Sequence, residues 1–146
     1  IEDPSNFGSI LRSAAFFGVK GVIIPEHRSV SVTDAVCRVS AGAVTMVSIV
    51  RIPNLVRAMD VLEDKGFAIV GLDAHAGDSI YDLSLSHPVA LVVGSEHKGM
   101  RRLVREHCHR IARIPSCGEM ESLNAAVATA IALAEVHRQN LRRSEH

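Results

Sequence analysis

The chain has few aromatic residues and no tryptophan: four Phe and one Tyr stand among its 146 residues. Platforms that bind single-stranded nucleic acid by stacking several bases depend on such rings, so the composition argues against a platform of this kind. An excess of one charge is also lacking, because 16 Lys and Arg balance 16 Asp and Glu. Any binding of nucleic acid would therefore depend on shape and on local charge.

Cysteines are also few, and their pattern argues against two kinds of site. The three cysteines are odd in number and contain no Cys-x-x-Cys pair, which favours neither a disulfide framework nor a cysteine-rich zinc site. A reducing, cytoplasmic location fits this pattern. His107, Cys108 and His109 are adjacent, but sequence neighbours point to different sides of a strand or helix. We therefore expect no metal site.

Long hydrophobic runs are absent. Stretches without a charged or strongly polar side chain, such as residues 125–134, are well short of the roughly 18 residues of a membrane-spanning helix. We therefore expect no membrane partner. A hydrophobic fraction of 47% with 22% charged residues favours one globular domain. The first residues, Ile1-Glu2-Asp3-Pro4, have the pattern of a loop entering a helix, so we expect a tag, a strand or a whole domain to precede them.

Basic residues are concentrated toward the C-terminal end of the chain. Residues 1–93 contain 7 basic and 10 acidic side chains, whereas residues 94–146 contain 9 basic and 6 acidic ones, together with five of the eight histidines. We expect a polyanionic partner to contact the C-terminal part.

Apolar positions alternate between helical and strand-like patterns. Helical spacing and capping signals predict helices over residues 5–17, 55–65, 101–107 and 123–138. Short β-branched runs predict buried strands over residues 22–24, 47–50, 68–72, 89–93 and 111–114. This alternation predicts an α/β fold, a mostly parallel sheet with helices on both faces, in one domain over residues 1–146.

The loops that follow the predicted strands are the places to search for a site, because ligands of open parallel sheets bind beyond the carboxyl ends of the strands. The candidate loops follow Ile24, Leu72, Val93 and Ile114. Neither the Gly-x-Gly-x-x-Gly dinucleotide fingerprint nor the Gly-x-x-x-x-Gly-Lys-Ser/Thr phosphate loop is present in the sequence. Their absence argues against dehydrogenases and P-loop NTPases.

Three ordered segments resemble the motifs of a known family. They are Asp3-Pro4-x-Asn6-x-Gly8-x-Ile10-x-Arg12, then Gly94-x-Glu96-x-x-Gly99, then Ile114-Pro115 leading to Ser122-Leu123-Asn124. In this order they resemble the SpoU/TrmH-type RNA ribose 2′-O-methyltransferases of the SPOUT superfamily, over nearly the whole chain. Residues 99–108 and 127–139 are most similar to bacterial 23S rRNA guanosine-2′-O-methyltransferases.

The resemblance implies a fold, a cofactor and partners. The implied fold has a C-terminal trefoil knot, the implied cofactor is S-adenosylmethionine, and a homodimer would complete the active site. The implied reaction methylates a ribose 2′-hydroxyl of structured RNA, with a 23S rRNA guanosine preferred and tRNA as the alternative, and DNA is not expected. The resemblance also suggests that an N-terminal strand, an RNA-binding domain or both are missing from the chain.

The resemblance also implies the site residues, motif by motif. The implied catalytic residues are Asn6, Arg12 and Glu96. The implied cofactor-binding residues are Gly94, Ile114, Ser122, Leu123 and Asn124, together with Leu72 at the end of a predicted strand. We expect Arg12, Arg101, Arg102 and Arg105 to contact RNA phosphates.

Arg12 matches the residue that the family credits with activating the ribose hydroxyl. A guanidinium, however, has a pKa above about 12 and is a poor base. We therefore expect Arg12 to clamp a phosphate and to stabilise the developing alkoxide. Glu96, a phosphate oxygen or water would accept the proton.

The same residues also have simpler interpretations when they are taken singly. Asn6 and Ser122 are suited to helix caps, Arg12 to a solvated helix face, and Gly94 to a turn. Arg101, Arg102 and Arg105 would equally form a solvated basic face. A noncatalytic RNA-binding or assembly module and an unrelated nucleotide-binding α/β domain remain as alternative functions.

The second and third motifs depart from the family at four positions. Ser95 and His97 stand where the family more often has Asn and Gly, and Cys117 and Glu119 lie in the third loop. We expect the His97 side chain to crowd a backbone that the family keeps bare.

Overall fold

Helices and strands alternate along the computed structural model, which describes residues 1–27 and 30–144. The helices are α1 (Pro4–Phe16), α2 (Asp34–Val39), α3 (Leu55–Asp64), α4 (Arg102–His107) and α5 (Ala125–Ser144). The strands are β1 (Gly21–Pro25), β2 (Ser48–Ile52), β3 (Ala68–Leu72), β4 (Asp78–Ser79), β5 (Val89–Val93) and β6 (Arg110–Arg113). Short 3-10 helices cover Ala43–Thr45 and Ile80–Asp82.

Every strand pairing among the described residues is parallel, which confirms the predicted class. The strands form two sheets, β1-β2 and β4-β6-β3-β5, where the sequence predicted one. In the larger sheet β6 lies between β3 and β4, which precede it in the chain. Leu72 of β3 lies opposite Val93 of β5 and Ala112 of β6. The carboxyl ends of these three strands are therefore adjacent. The trefoil knot stays a prediction.

Three hydrophobic clusters hold the elements together. Phe7 and Leu11 of α1 are buried against β1 and α2. Met59 of α3 is buried in a second cluster with residues of β3 and α4. In the third cluster, Ala132 of α5 lies with residues of the larger sheet and with the segment around Ile80. Helix α1, which carries residues of the first motif, and helix α5, which directly follows the third motif, are thus fixed by buried faces.

The predicted bounds of α5 were wrong at both ends. The helix begins at Ala125, because the side chain of Asn124 accepts hydrogen bonds from the N–H groups of Ala126 and Val127 at 2.9 and 3.2 Å. It continues to Ser144 because its last turns bind the segment after the second 3-10 helix: Gln139 accepts from Leu85 N–H at 2.7 Å. None of the described helices combines the length and hydrophobicity needed to cross a bilayer.

The sequence patterns missed α2, β4 and both 3-10 helices. Each has six residues or fewer, and a segment this short gives only a weak periodic pattern. The segment around α2 also contains two consecutive left-handed residues, Ala41 with φ of 52° and Gly42 with φ of 83°. A non-glycine residue in this region is strained, so its conformation is imposed by the surrounding fold.

The buried face of α1 predicts a large difference between two matched substitutions. Leu11 is fully buried, whereas Leu141 on α5 is 54% exposed. We expect Leu11→Ala to lower the free energy of unfolding by about 2–5 kcal/mol, because it leaves a cavity. Leu141→Ala should change it by less than about 0.5 kcal/mol. Urea unfolding monitored by circular dichroism measures both, and equal effects would contradict the packing described.

Candidate active site

The first motif begins at the N-cap of α1 and continues into the helix as far as Arg12. The Asp3 side chain caps the helix by accepting a hydrogen bond from Asn6 N–H at 3.0 Å, and Pro4 occupies the first helical position. Asn6 is therefore not the cap, and its side chain is available for other partners.

The Glu96 carboxylate accepts hydrogen bonds from three donors near the start of the chain. Glu2 N–H lies 3.1 Å from Oε2, Asp3 N–H lies 3.3 Å from Oε1, and the Asn6 amide nitrogen lies 3.1 Å from Oε1. These bonds join the loop after β5 to the N-terminus of α1. They bring together two motifs about ninety residues apart in sequence.

Asn124 adds the third motif to this arrangement. Its amide nitrogen donates to the side-chain oxygen of Asn6 at 2.9 Å, while its own oxygen caps α5. The interpretation of Ser122 as the cap is therefore wrong, since Ser122 is exposed and Asn124 has that role. We call Glu96, Asn6 and Asn124, with the bonds that join them, the motif network.

The hydrogen bonds of the motif network change the acidity of Glu96. Partial burial by itself would raise its pKa, but hydrogen bonds from the Asn6 side chain and from backbone N–H groups, including those of Glu2 and Asp3, outweigh burial. The pKa of Glu96 is lowered from its ordinary 4.5 to about 2. The carboxylate is thus ionised at neutral pH, and its occupied oxygens make it a weak base.

The loop that carries Glu96 is closed by backbone contacts. Ser95 and Gly99 exchange two hydrogen bonds, of 3.1 and 3.0 Å. A Cβ atom on Gly94 would lie 2.3 Å from the Gly99 carbonyl carbon, so only glycine fits there. The expected crowding by His97 is absent: the residue is exposed, and the left-handed position in this loop is Gly99, with φ of 64°.

The predicted cofactor residues lie on adjacent strand ends. Leu72 ends β3, Gly94 follows β5 and Ile114 follows β6, and these three strands are neighbours in the larger sheet. Leu123, in the loop before α5, is 48% exposed. The structure thus brings together the backbone of three loops at one edge of the sheet.

The three predicted RNA-binding arginines near α4 differ in their partners. Arg102 forms an exposed ion pair with Glu106 at 3.2 Å, one helical turn away. Arg105 donates to the carboxylate of Asp73, which directly follows β3. Arg101 is exposed, and its guanidinium has no hydrogen-bond or ion-pair partner among the described residues. Of these three arginines, only Arg101 therefore presents an unpaired guanidinium.

Asp73 is a residue of the strand-end loops that the motifs did not single out. Its carboxylate accepts from His75 N–H at 2.8 Å as well as from Arg105. The hydrogen bond from His75 N–H, opposed by partial burial and aided by Arg105, lowers the pKa of Asp73. Asp73 thereby ties the loop after β3 to α4. In the sequence, the position of Asp73 at the end of a predicted strand was the signal that could have identified it. Its partner Arg105 on α4 is known only from the fold.

Arg12 does not join the motif network. It is exposed on α1, about 9 Å along the helix axis from Asn6 by the usual rise per residue. Within the described part of the chain its guanidinium has no hydrogen-bond or ion-pair partner. It lines an open depression of about 310 Å³ between α1 and the segment after α2.

The adjacent His107, Cys108 and His109 side chains have separate partners. A ring nitrogen of His107 lies 2.7 Å from Leu103 O. The Cys108 thiol donates to Val104 O at 3.3 Å. His109 Nδ1 accepts from Ile69 N–H at 2.9 Å. In residues 1–27 and 30–144, no three His, Cys, Asp or Glu side chains are grouped as metal ligands.

Comparison with known proteins begins with sequence. The model of the SpoU rRNA Methylase family matches residues 1–134. The chain is 48% identical over 139 residues to a protein of Mycobacterium avium named uncharacterized tRNA/rRNA methyltransferase, covering 95% of this chain and 45% of that protein. A relative of the same kind in Mycolicibacterium smegmatis is 50% identical, with 95% and 44% covered. The chain thus spans about half the length of the curated relatives it matches.

Solved structures with the same fold include two methyltransferase-type proteins. The SpoU methyltransferase AviRb from Streptomyces viridochromogenes, solved in complex with the cofactor AdoMet, superimposes with a TM-score of 0.89 at 32% identity, covering 97% of this chain and 58% of that one. The A. aeolicus TrmH/SpoU tRNA modifying enzyme gives 0.88 at 26% identity, with 99% and 73% covered. These superpositions confirm the predicted fold class.

The lowered pKa of Glu96 predicts a dependence of stability on pH. Because the folded-state pKa lies below the ordinary value, this stabilisation is present above about pH 4.5 and is lost as the pH falls toward 2. We expect Glu96→Gln to lower the free energy of unfolding by about 1–3 kcal/mol at pH 7, with a deficit that shrinks between pH 4.5 and 2. Urea unfolding across this range measures it.

The control for this measurement is Glu121→Gln, which removes an exposed carboxylate from the loop before α5. It should leave the pH dependence of wild type unchanged. A Glu96→Gln deficit of constant size from pH 7 to pH 2 would show that ionisation of Glu96 does not stabilise the fold.

Proposed function

The chain belongs to the SpoU rRNA methylase family, and from this premise we propose that it transfers a methyl group from S-adenosylmethionine to a ribose 2′-hydroxyl of RNA. The motif network is the observation that carries the proposal. Side chains from three distant segments converge there through hydrogen bonds of 2.9 to 3.1 Å. The alternative, a noncatalytic module of the same fold, is distinguished by a cofactor-binding titration.

The strand-end loops fit an adenosyl cofactor. Gly94 leaves no space for a side chain beside Gly99, so the backbone there is bare. Leu72 and Ile114 are partly buried apolar residues at the ends of neighbouring strands. When bound, the cofactor supplies an electrophilic methyl group on its sulfonium. Backbone groups of Gly94, Ile114 and Leu123 would hold it, with Ser122 and Asn124 beside them.

Within this proposal, Glu96 is a positioning residue. Its lowered pKa and its three hydrogen bonds make it a poor proton acceptor. It fixes Asn6 and the start of α1 instead. A phosphate oxygen or water then accepts the ribose proton.

Arg12 has the electrostatic role in this mechanism. Its guanidinium is exposed and unpaired within the described residues, so it is free to bind a phosphate. The forked N–H donors of the Arg12 guanidinium would orient the RNA strand and stabilise the developing alkoxide. Arg12 is separate from the motif network of its own chain, and the family resemblance implies a homodimer that completes the active site.

We infer a homodimer for this reason and from exposed apolar side chains near the start of α5. Met120, Leu123 and Val127 are 76%, 48% and 47% exposed. A cluster of this kind at a helix start fits a self-complementary contact. The alanines Ala126 and Ala132 are buried within the chain itself and are not part of this surface.

For the substrate, we propose a guanosine of 23S rRNA. The similarity of residues 99–108 to the enzymes that modify this RNA supports it. A tRNA is the second candidate, because the A. aeolicus protein with the same fold is a tRNA modifying enzyme. Cytoplasmic location follows from either substrate as part of the same proposal.

Binding of the cofactor is tested with S-adenosylhomocysteine. A ligand that binds only the folded state raises the melting temperature, so we expect a saturable increase with this ligand. NAD at the same concentration is the control and should give none. An increase with NAD and none with S-adenosylhomocysteine would overturn the assignment.

The role of Arg12 is tested by conservative substitution. Arg12→Lys keeps the charge but loses the forked geometry, so methyl transfer to pooled rRNA should fall on the order of 10²- to 10³-fold. Arg12→Ala should fall further, while both variants keep their affinity for S-adenosylhomocysteine. The rate should rise with pH in the same way in wild type and Arg12→Lys.

Arg57→Lys, on the exposed surface of α3, is the matched control and should retain wild-type activity. An apparent pKa present in wild type and lost in both Arg12 variants, with cofactor binding intact, would identify Arg12 as the base.

A further inference from the structure

The depression beside Arg12 is lined by two large apolar side chains that are exposed to solvent. Phe16 is 81% exposed and Met46 is 73% exposed. Between them lie the small residues Ala15, Ala41 and Ala43. Exposed Phe and Met flanking small residues leave room for a flat apolar group.

The far wall of the depression has a fixed and strained backbone. Ala41 has φ of 52° and is followed by Gly42 with φ of 83°. Ser40 is fully buried, and Ser40 O accepts from Ala43 N–H at 3.0 Å, while Ala43 O accepts from Met46 N–H at 2.9 Å. Strain of this kind persists only where the fold imposes it and is common at binding sites. Met46 is therefore held in place by its backbone.

The charge at the depression has one sign. Arg12 lies one helical turn before Phe16 on α1, and no carboxylate is among the lining residues. The rings of Phe16 and Phe17 make an edge-to-face contact, with a centroid distance of 5.0 Å and an angle of 84°. One unpaired cation beside an aromatic ring matches a ligand that has a flat ring at one end and an anionic group at the other. A nucleotide has this chemistry.

We propose that this depression holds one unstacked nucleotide of the RNA, with its base against Phe16 and Met46 and its phosphate at Arg12. The volume of about 310 Å³ is at the lower end for small-molecule sites, which suits a single nucleotide and not a duplex. This subsite rests on the proposed function and extends it, because a base held here would fix the strand next to the target ribose. One exposed ring suffices for one base, although the composition excludes a platform of several.

The test measures binding of a fluorescently labelled, mixed-sequence 12-nucleotide single-stranded RNA to the 146-residue chain in the presence of S-adenosylhomocysteine. Fluorescence anisotropy at low salt gives the affinity. Phe16→Ala should weaken binding about 5- to 150-fold, the effect of losing one base–aromatic stack. Met46→Ala should weaken it less, and Phe16→Tyr should stay within about twofold of wild type. Val61→Ala, on the exposed face of α3, is the control and should bind as wild type does.

A second probe separates stacking from charge. Inorganic polyphosphate has phosphates and no bases, so Phe16→Ala should bind it as tightly as wild type. RNA binding that is absent in wild type, or equal in wild type and Phe16→Ala, would overturn the subsite. Equal weakening for RNA and polyphosphate would overturn it too.

Light scattering on the same samples tests whether the depression is occupied by a second copy of the chain instead of RNA. An unchanged mass in Phe16→Ala supports the nucleotide subsite, whereas dissociation to monomers that accounts for the lost RNA affinity would make this surface a protein interface. The melting shift with S-adenosylhomocysteine reports on the proposed function separately. A retained shift together with unaltered RNA affinity in Phe16→Ala would reject the subsite alone, and a missing shift in wild type would reject the proposed function.

Discussion

The carboxylate of Glu96 accepts hydrogen bonds from Glu2, Asp3 and Asn6, and the arrangement of the site depends on these bonds. The Glu96 loop is closed on itself by paired backbone bonds and requires a bare backbone at Gly94. It therefore presents the carboxylate in one place. Because Glu2 and Asp3 directly precede α1 and Asn6 lies in its first turn, the carboxylate fixes both the position of this helix and the orientation of the Asn6 amide.

Asn6 and Asn124 extend this constraint to the far end of the chain. Asn6 uses its nitrogen for Glu96 and its oxygen for Asn124, and Asn124 uses its own oxygen to cap α5. Each amide has a single orientation in which its donor and acceptor are both satisfied. The site is thus coupled to helix capping. Replacing either asparagine would disturb a helix start as well as the site.

The arginines predicted to bind RNA fall into two groups: some are held in ion pairs within the fold, and the others have an unpaired guanidinium. Arg105 is bound to Asp73, which fixes the loop after β3, and Arg102 is paired with Glu106 along α4. Arg12 and Arg101 are the exposed arginines of the predicted set without a partner in the described residues. A basic residue in a candidate RNA-binding segment is therefore not automatically a phosphate ligand. The neighbours of each guanidinium decide its role.

The sequence by itself determined the family, the α/β class and the strands β3 and β5, because three ordered motifs and strong apolar runs are local features of the chain. It did not determine which polar residue of the third motif caps α5, since Ser122 and Asn124 are both suitable caps. Nor did it separate Arg105 from Arg101. Only the tertiary structure decided these points, and it alone placed Phe16 and Met46 on either side of one depression. The physical reason is that hydrogen-bond partners and side-chain exposure depend on contacts between segments far apart in sequence, which no local pattern records.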